Sequence, residues 1–209
     1  MIAGIVTDLT DWLDRISSHW WFLLIIIVIA FLDSVIPVVP SETCVIIGGV
    51  AASQGSQSLL IVIATAALGA FLGDNAAFLL GVRASDRFHR RAERRPRFAT
   101  KMAWAHQQIT DRGGLLLITA RFIPGGRTAL TLSCGITRQR RAWFIRWIVV
   151  ATVIWASYAA LLGRIGGEAF KDDHTKAFML AFGMAITTNI AIEVARHYRK
   201  KHRTATAAG

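Results

Sequence analysis

Ala120-Arg121-Phe122-Ile123-Pro124-Gly125-Gly126-Arg127-Thr128 is the stretch around which the chain is arranged, and it lies inside an apolar run from Gly113 to Thr137. An arginine at the centre of a membrane helix costs about 3 kcal/mol on insertion scales, so two of them in one apolar run need a physical reason. The Pro-Gly-Gly between them breaks a helix. Buried arginines beside a break in the backbone predict a binding or transport site.

The composition is that of a membrane protein. Hydrophobic residues make up 54% of the 209 residues, and the mean hydropathy is +0.45. We therefore predict an all-α polytopic membrane protein with one domain. The net charge of +11 would suggest nucleic acid as the partner of a soluble protein. Here the basic residues lie between apolar runs, where they orient the chain and contact anionic membrane lipids, so no nucleic-acid partner is predicted.

The amino-terminal third contains one amphipathic stretch and one broken stretch. Residues 1–18 have apolar residues at helical spacing, which predicts a helix lying on the membrane or packed on the protein's own bundle. Trp20 to Leu32 is continuously apolar and is predicted to span the membrane. The stretch 35–53 is also apolar, but it is predicted to be too broken to span as a plain helix. Its interruptions are Pro37, Pro40 and the Gly48-Gly49 pair.

A basic segment fixes the membrane topology. Ser58 to Gly81 is long enough to span, and the following segment, Arg83 to Arg112, has nine lysines or arginines against three acids. The positive-inside rule places that segment in the cytoplasm. The run 113–137 then starts from this segment and ends at Arg138, Arg140 and Arg141, so both of its ends favour the same side. It is predicted to be a re-entrant hairpin bent at Pro124-Gly125-Gly126.

The remaining segments complete a predicted inverted repeat. Trp143 to Leu162 crosses outward, Ala177 to Ala195 returns, and the basic tail 196–209 lies inside, which gives about four spanning helices and cytoplasmic termini. The stretch 35–53 is predicted to enter from the outer face, opposite to 113–137. Pro40-Ser-Glu42 and Pro124-Gly-Gly-Arg127 each precede an apolar run, so the two hairpins form a repeat whose tips meet near the midplane.

Ionisable residues at membrane depth are the candidate site. They are Asp33, Glu42, Asp74, Arg121 and Arg127. One interpretation is structural ion pairing between the two hairpins. The functional interpretation is a phosphate site, because a guanidinium group is a planar fork of donors and free backbone amides at Gly125 and Gly126 would add more. Such a site suits an anionic lipid head group.

The numbers of acids and bases at this depth predict a second role. Three carboxylates (Asp33, Glu42 and Asp74) face two arginines. A buried carboxylate without a cationic partner tends to take up a proton. We therefore expect one of the three to bind and release a proton during transport, which would couple movement of the anion to the proton gradient.

The same residues resemble motifs of the DedA family of small integral membrane proteins, which share a domain with the VTT lipid scramblases. The likeness covers roughly Phe31 to Gly166. Asp33 to Gly49 is similar to the family's acidic residue followed by a Pro-Gly-acid turn, with Ser41 in place of the turn glycine and Asp33 where glutamate is commoner. Gly69 to Arg83 is similar to its Gly-x-x-x-Gly-Asp block. Arg121 to Arg127 matches its Arg-Phe-x-Pro-Gly-x-Arg motif.

The resemblance implies two re-entrant hairpins and a bacterial inner-membrane location. It also implies transbilayer movement of a lipid, including undecaprenyl phosphate in some members, with a link to the proton-motive force. Carried over by position, it implies that Asp33, Glu42, Arg121 and Arg127 are functional, with Asp74 as an addition.

Three other functions stay open beside a carrier of an anionic lipid, either undecaprenyl phosphate or a phospholipid. A proton-coupled small-ion transporter would use the same charges. A lipid-phosphate phosphatase would also use the arginines, but the six histidines lie at segment ends or in basic loops, and no metal or cofactor motif is present, so neither an enzyme nor a cofactor is predicted. An assembly factor would need no charges. Gly69 and Gly73 have a spacing typical of close helix packing, within one chain or in a homo-oligomer.

Overall fold

The computed structural model describes residue 17 and residues 19–36, 41–123 and 125–169. The amphipathic helix predicted for 1–18, apart from Ser17, the span 177–195 and the tail 196–209 lie outside these ranges. The described chain is α-helical without strands, which confirms the all-α part of the predicted fold class. Its helices are α1 (Trp21–Val35), α2 (Ser41–Ser53), α3 (Leu59–Glu93), α4 (Pro96–Thr119), α5 (Gly126–Ile136) and α6 (Arg141–Ala169).

Two of the described helices, α3 and α6, are long and apolar enough to cross a membrane. They pack against each other in opposite directions. The ring of Phe78, late in α3, stacks on Phe144, early in α6, with centroids 4.4 Å apart. Trp155, later in α6, belongs to the buried cluster that contains Ala66 and Ala70, earlier in α3. These two antiparallel helices form the centre of the bundle.

Helix α3 carries one helix from each half of the chain, and both run parallel to it. A Cβ at Gly69 would lie 2.4 Å from the Ile27 carbonyl oxygen, and one at Gly73 would lie 2.5 Å from that of Phe31, so α1 lies directly on the glycine face. This packing occurs within one chain, and it accounts for the Gly69 and Gly73 spacing without an oligomer. Further along α3, the Ser85 hydroxyl donates to the Ile136 carbonyl of α5 (2.8 Å).

Helix α6 repeats this arrangement with the other two helices. Gly113 and Gly114 of α4 lie against the rings of Trp143 and Trp147, at the start of α6. A Cβ at Gly163 of α6 would lie 2.1 Å from the Ile46 carbonyl oxygen of α2. Thus α3 holds α1 and α5, whereas α6 holds α4 and α2. Helices α1, α2 and α3 therefore correspond to α4, α5 and α6, respectively. The two three-helix units point in opposite directions because α3 and α6 are antiparallel.

The α1–α2 pair and the α4–α5 pair each fold back, so that the chain after the second helix lies near the first helix again. The Gln57 side-chain amide, after α2, donates to the carbonyl oxygens of Ser17 (3.0 Å) and His19 (3.2 Å), before α1. Gln139, after α5, lies 3.3 Å from the His106 ring nitrogen of α4. Both pairs are therefore hairpins.

The first hairpin includes α1, whereas the sequence analysis treated residues 20–32 as a spanning helix separate from the broken stretch 35–53. Helix α1 has 15 residues and is about 22 Å long, less than the roughly 30 Å of a hydrocarbon core, so it is the first leg of the hairpin. Gly48-Gly49 does not interrupt α2, which runs through both residues. Both glycines serve close packing instead: a Cβ at Gly49 would lie 2.2 Å from the Ala160 carbonyl oxygen.

The second hairpin bends where the sequence predicted. Helix α4 ends at Thr119, a 3-10 turn covers Ala120–Phe122, and Gly125 has the left-handed φ of +67° from which α5 begins. The polar segment 83–112 is helical, however: α3 continues to Glu93 and α4 starts at Pro96. The change in hydropathy at Val82 marks a change of solvent, and arginine, alanine and glutamate continue a helix readily on either side of it.

Candidate functional site

The tips of the two hairpins meet beside the middle of α3. Asp33 lies in the last turn of α1 and Glu42 in the first turn of α2. Arg121 lies in the turn after α4, and Arg127 in the first turn of α5. The first hairpin thus supplies two acids and the second supplies two arginines at the corresponding positions. Asp74 of α3 completes the group, and the structure brings all five predicted charged residues together.

Arg121 and Asp74 form a fully buried ion pair. The Arg121 Nη1 atom lies 2.6 Å from Asp74 Oδ2, and both side chains have 0% exposure. The guanidinium carbon lies 5.4 Å from the ring centroid of Trp155, which adds a cation–π contact. The Nε and Nη2 atoms of Arg121 have no hydrogen-bond partner among the described residues, and neither does Asp74 Oδ1. A buried guanidinium with two open donors can accept an anionic ligand.

Arg127 and Asp33 form a second pair that is more accessible. Arg127 Nη2 lies 3.0 Å from Asp33 Oδ2, and the side chains are 10% and 20% exposed. Arg127 Nε also lies 3.8 Å from Asp74 Oδ1, which joins the two pairs into one network. Because this second pair is less enclosed than the first, its ionic contact can exchange for another anion more easily than that of Arg121.

Glu42 occupies the edge of the network. Its carboxyl group interacts with the Trp155 indole, and its charged neighbours are Asp33 and Arg127. The two acids of the first hairpin therefore repel each other and share one arginine. Trp155 contacts both Glu42 and Arg121, so this aromatic residue, which the sequence analysis did not select, links the acidic hairpin to the basic one.

Three hydroxyl side chains fasten the hairpin tips, and the sequence analysis assigned none of them a role in the site. The Thr128 hydroxyl donates to the Ser34 carbonyl (3.0 Å), across the two hairpins. The Ser34 hydroxyl lies 3.3 Å from the Ala70 carbonyl oxygen of α3. The sequence offered one indication of these roles: Ser34 directly follows Asp33, and Thr128 directly follows Arg127. Their polar contacts are with the backbone, which no residue pattern reveals.

The third hydroxyl explains two departures from the DedA pattern. Ser41 stands where that family has a turn glycine, and Asp33 where it more often has glutamate. In the structure the Ser41 hydroxyl donates a short hydrogen bond to Asp33 Oδ2. The shorter acid and the added hydroxyl thus contact each other, and together they orient the carboxylate toward Arg127.

The glycines of the second tip differ from the prediction in one respect. The amide of Gly126 donates to the Ile123 carbonyl (2.9 Å), so it is not a free donor for a ligand. Gly125 provides the left-handed conformation that starts α5. By position in the helix, the next amides, of Arg127 and Thr128, have no intrahelical acceptor and are better placed as donors. No group of His, Cys, Asp or Glu suited to a metal ion occurs among the described residues.

Comparison with known proteins identifies the family of this chain. The family model of the VTT domain matches residues 39–165, which include Glu42, Asp74, Arg121 and Arg127. The chain therefore belongs to the VTT domain family, and the DedA resemblance is confirmed. It is a membrane protein, like its named relatives.

Three relatives are similar over most of their length. The inner membrane protein YohD of Escherichia coli is 28% identical over 65% of this chain and 72% of its own. The undecaprenyl phosphate transporter A of Staphylococcus aureus is 24% identical over 66% of this chain and 71% of its own. An alkaline phosphatase-like protein of Lactococcus lactis is 21% identical over 82% of this chain and 86% of its own. No solved structure matches the chain.

Proposed function

We propose that this protein carries an anionic lipid across the bacterial inner membrane, with the lipid phosphate held between Arg121 and Arg127. The observation that supports this most is the buried Arg121–Asp74 pair, in which two guanidinium nitrogens have no hydrogen-bond partner among the described residues. A phosphate oxygen would satisfy them, and charge-assisted bonds of this kind are the strong ones. The name of the Staphylococcus aureus relative supports undecaprenyl phosphate as the substrate; a phospholipid has the same chemistry.

The membrane topology follows from this proposal and the packing. Helices α3 and α6 span, and the α1–α2 and α4–α5 hairpins enter from opposite faces as an inverted repeat. With the basic end of α3 in the cytoplasm, residues 53–58 lie outside, and Ser17 and His19 lie there with them because Gln57 bonds to both. The predicted cytoplasmic amino terminus rested on a crossing by residues 20–32, which the hairpin replaces. Residues 1–16 are outside the described ranges.

Proton coupling follows from competition for Arg127. An incoming phosphate displaces Asp33 from Arg127, and a carboxylate that loses its cation inside the membrane binds a proton. Release of the phosphate on the other side restores the ion pair and expels the proton. Glu42 shares Arg127 with Asp33, and Asp74 is joined to Arg127 at 3.8 Å, so each of the three acids is a candidate for the coupled group.

The test is transbilayer movement of labelled undecaprenyl phosphate in proteoliposomes. We expect Arg127→Ala to reduce the rate at least about tenfold, since it loses about 1.5–3 kcal/mol of charged hydrogen bonding to the phosphate. We expect Glu42→Gln to reduce the rate as well, because an amide cannot bind and release the coupled proton. Arg164→Ala is the matched control, because Arg164 pairs with Glu168 on an exposed surface (2.8 Å). Equal rates in folded wild type and Arg127→Ala would disprove the site. An imposed pH difference that left the wild-type rate unchanged would disprove the coupling.

The same vesicles distinguish the alternatives. An ion-dependent pH change in vesicles without polyprenyl phosphate would indicate a small-ion transporter. Release of inorganic phosphate from the lipid by the pure protein, abolished in Arg127→Ala, would indicate a phosphatase, as the name of the Lactococcus lactis relative suggests for that protein. Transport-deficient charge variants that still support function in cells would indicate an assembly factor.

A further inference from the structure

Five arginines line a cavity of about 380 Å³ at the carboxyl end of α3, far from the hairpin tips. They are Arg87, Arg90, Arg91, Arg94 and Arg95. The first four recur at intervals of three and four residues, so they lie on one face of the helical segment. All five are exposed. A cavity of this size is in the range of small-ligand sites, and this one presents only guanidinium groups among its lining side chains.

The arginines around this cavity outnumber the acids of the same helix end, which favours binding of an anion. Asp86, on the same helix, is already paired with Arg138 (2.5 Å), which leaves Glu93 as the other acid of the helix end. Like charges three and four residues apart repel each other and destabilise a helix. The helix dipole favours the two arginines of the last turn, Arg90 and Arg91, but its effect fades beyond that turn. A bound multivalent anion would remove the repulsion among all five.

The depth of the cavity indicates where that anion comes from. The apolar part of α3, from Leu59 to Val82, is about 36 Å long, enough for the hydrocarbon core. Arg87 lies about 7 Å beyond Val82, in the head-group layer, whereas Arg94 lies about 18 Å beyond it, in water. A phosphate group projecting from the cytoplasmic leaflet would therefore meet the first arginines of the cavity and be enclosed by the last ones.

We propose that this cavity is a second anion site, which binds a group bearing more than one phosphate. The group is presented by a lipid of the cytoplasmic leaflet or by a soluble diphosphate. Guanidinium forks bind phosphate oxygens in pairs, and several forks converging on one cavity favour a multiply charged group over a single phosphate. This site does not depend on what the hairpin tips carry, because it shares no residue with them.

The test uses the full-length protein in phosphatidylcholine nanodiscs. Calorimetry measures binding of pyrophosphate, and native mass spectrometry measures retention of cardiolipin from nanodiscs that contain a minor fraction of it. The triple variant Arg87→Gln/Arg90→Gln/Arg94→Gln removes three charges from the cavity. The control triple Arg112→Gln/Arg140→Gln/Arg146→Gln removes three charges from exposed positions elsewhere.

We expect the cavity triple to weaken binding more than about tenfold and the control triple to weaken it much less, with affinity falling as salt rises. Cardiolipin retention without measurable pyrophosphate binding would show that the cavity binds a lipid. Binding of both would show that it recognises the phosphate groups, whether or not a lipid carries them. Equal effects of the two triples would overturn the proposal. Transport of undecaprenyl phosphate, measured on the same proteins, reports on the hairpin-tip site separately.

Discussion

Arg121 and Arg127 are the same residue type six positions apart, yet their surroundings give them different roles. Arg121 is enclosed, with its partner Asp74 also fully buried. Arg127 is paired to an acid that is 20% exposed and is itself 10% exposed. Separating a fully buried pair leaves an uncompensated charge, and this cost is smaller for a pair that is partly exposed. In the proposed anion site, Arg121 would therefore be the fixed arginine, and Arg127 the arginine whose acidic partner exchanges.

Burial of the Arg121–Asp74 pair predicts that a single substitution lowers stability. Asp74→Asn leaves the Arg121 guanidinium without its anion, so we expect the free energy of unfolding in mixed micelles to fall by about 3–5 kcal/mol. Asp86→Asn breaks the exposed pair with Arg138 (2.5 Å) and should cost less than about 1 kcal/mol. If both variants unfolded alike, the Asp74 pair would not contribute to stability as its burial implies.

At the scale of elements, short helices are positioned by contacts with backbone. Helices α2 and α5 have 13 and 11 residues, too few to be stable alone, and each begins at a hairpin tip. Glycine faces let them approach α6 and α3 so closely that backbone atoms touch. The position of Arg127 therefore depends on packing around Gly135, two turns or more away along α5.

Gly135→Ala tests that dependence. The new Cβ would lie 2.1 Å from the Phe78 carbonyl oxygen, so α5 must move away from α3. We expect a loss of about 2 kcal/mol or more in stability and a reduced affinity for undecaprenyl phosphate, measured by lipid titration. Gly55→Ala is the control: its Cβ meets nothing within 4 Å, but its φ of +80° is strained, so it should lose about 1 kcal/mol and keep its affinity. Unchanged lipid affinity in Gly135→Ala would separate α5 packing from the site.

At the scale of the whole molecule, two opposed hairpins predict a specific pattern of access. In a background of Cys44→Ala and Cys134→Ala, single cysteines at Trp20 and Ser56 should react with an impermeant maleimide from outside, because Gln57 ties these two ends together. Cysteines at Gln107 and Arg140 should react from the cytoplasm. Labelling of the Trp20 position from the cytoplasm would contradict this topology and would indicate that α1 crosses the membrane.

The sequence alone determined the class of fold and the members of the charged site. Long apolar runs, a Pro-Gly-Gly between arginines and basic flanks follow from the cost of placing polar groups in hydrocarbon, so they are visible in the order of residues. The bend in the second hairpin was predicted for this reason. The complementary charges of the two hairpins, acidic in the first and basic in the second, were also visible in the sequence motifs.

Only the tertiary structure decided which residues pair and where the first hairpin begins. Apolar content shows that residues 20–32 prefer lipid, but a re-entrant leg and a crossing helix have the same composition. The contact of Gln57 with Ser17 and His19 shows that the chain after α2 returns to the end at which α1 begins. The pairing of Asp74 with Arg121, and of Asp33 with Arg127, joins residues 47 and 94 positions apart. Such contacts depend on how α3 and α6 align the two units, which no local pattern specifies.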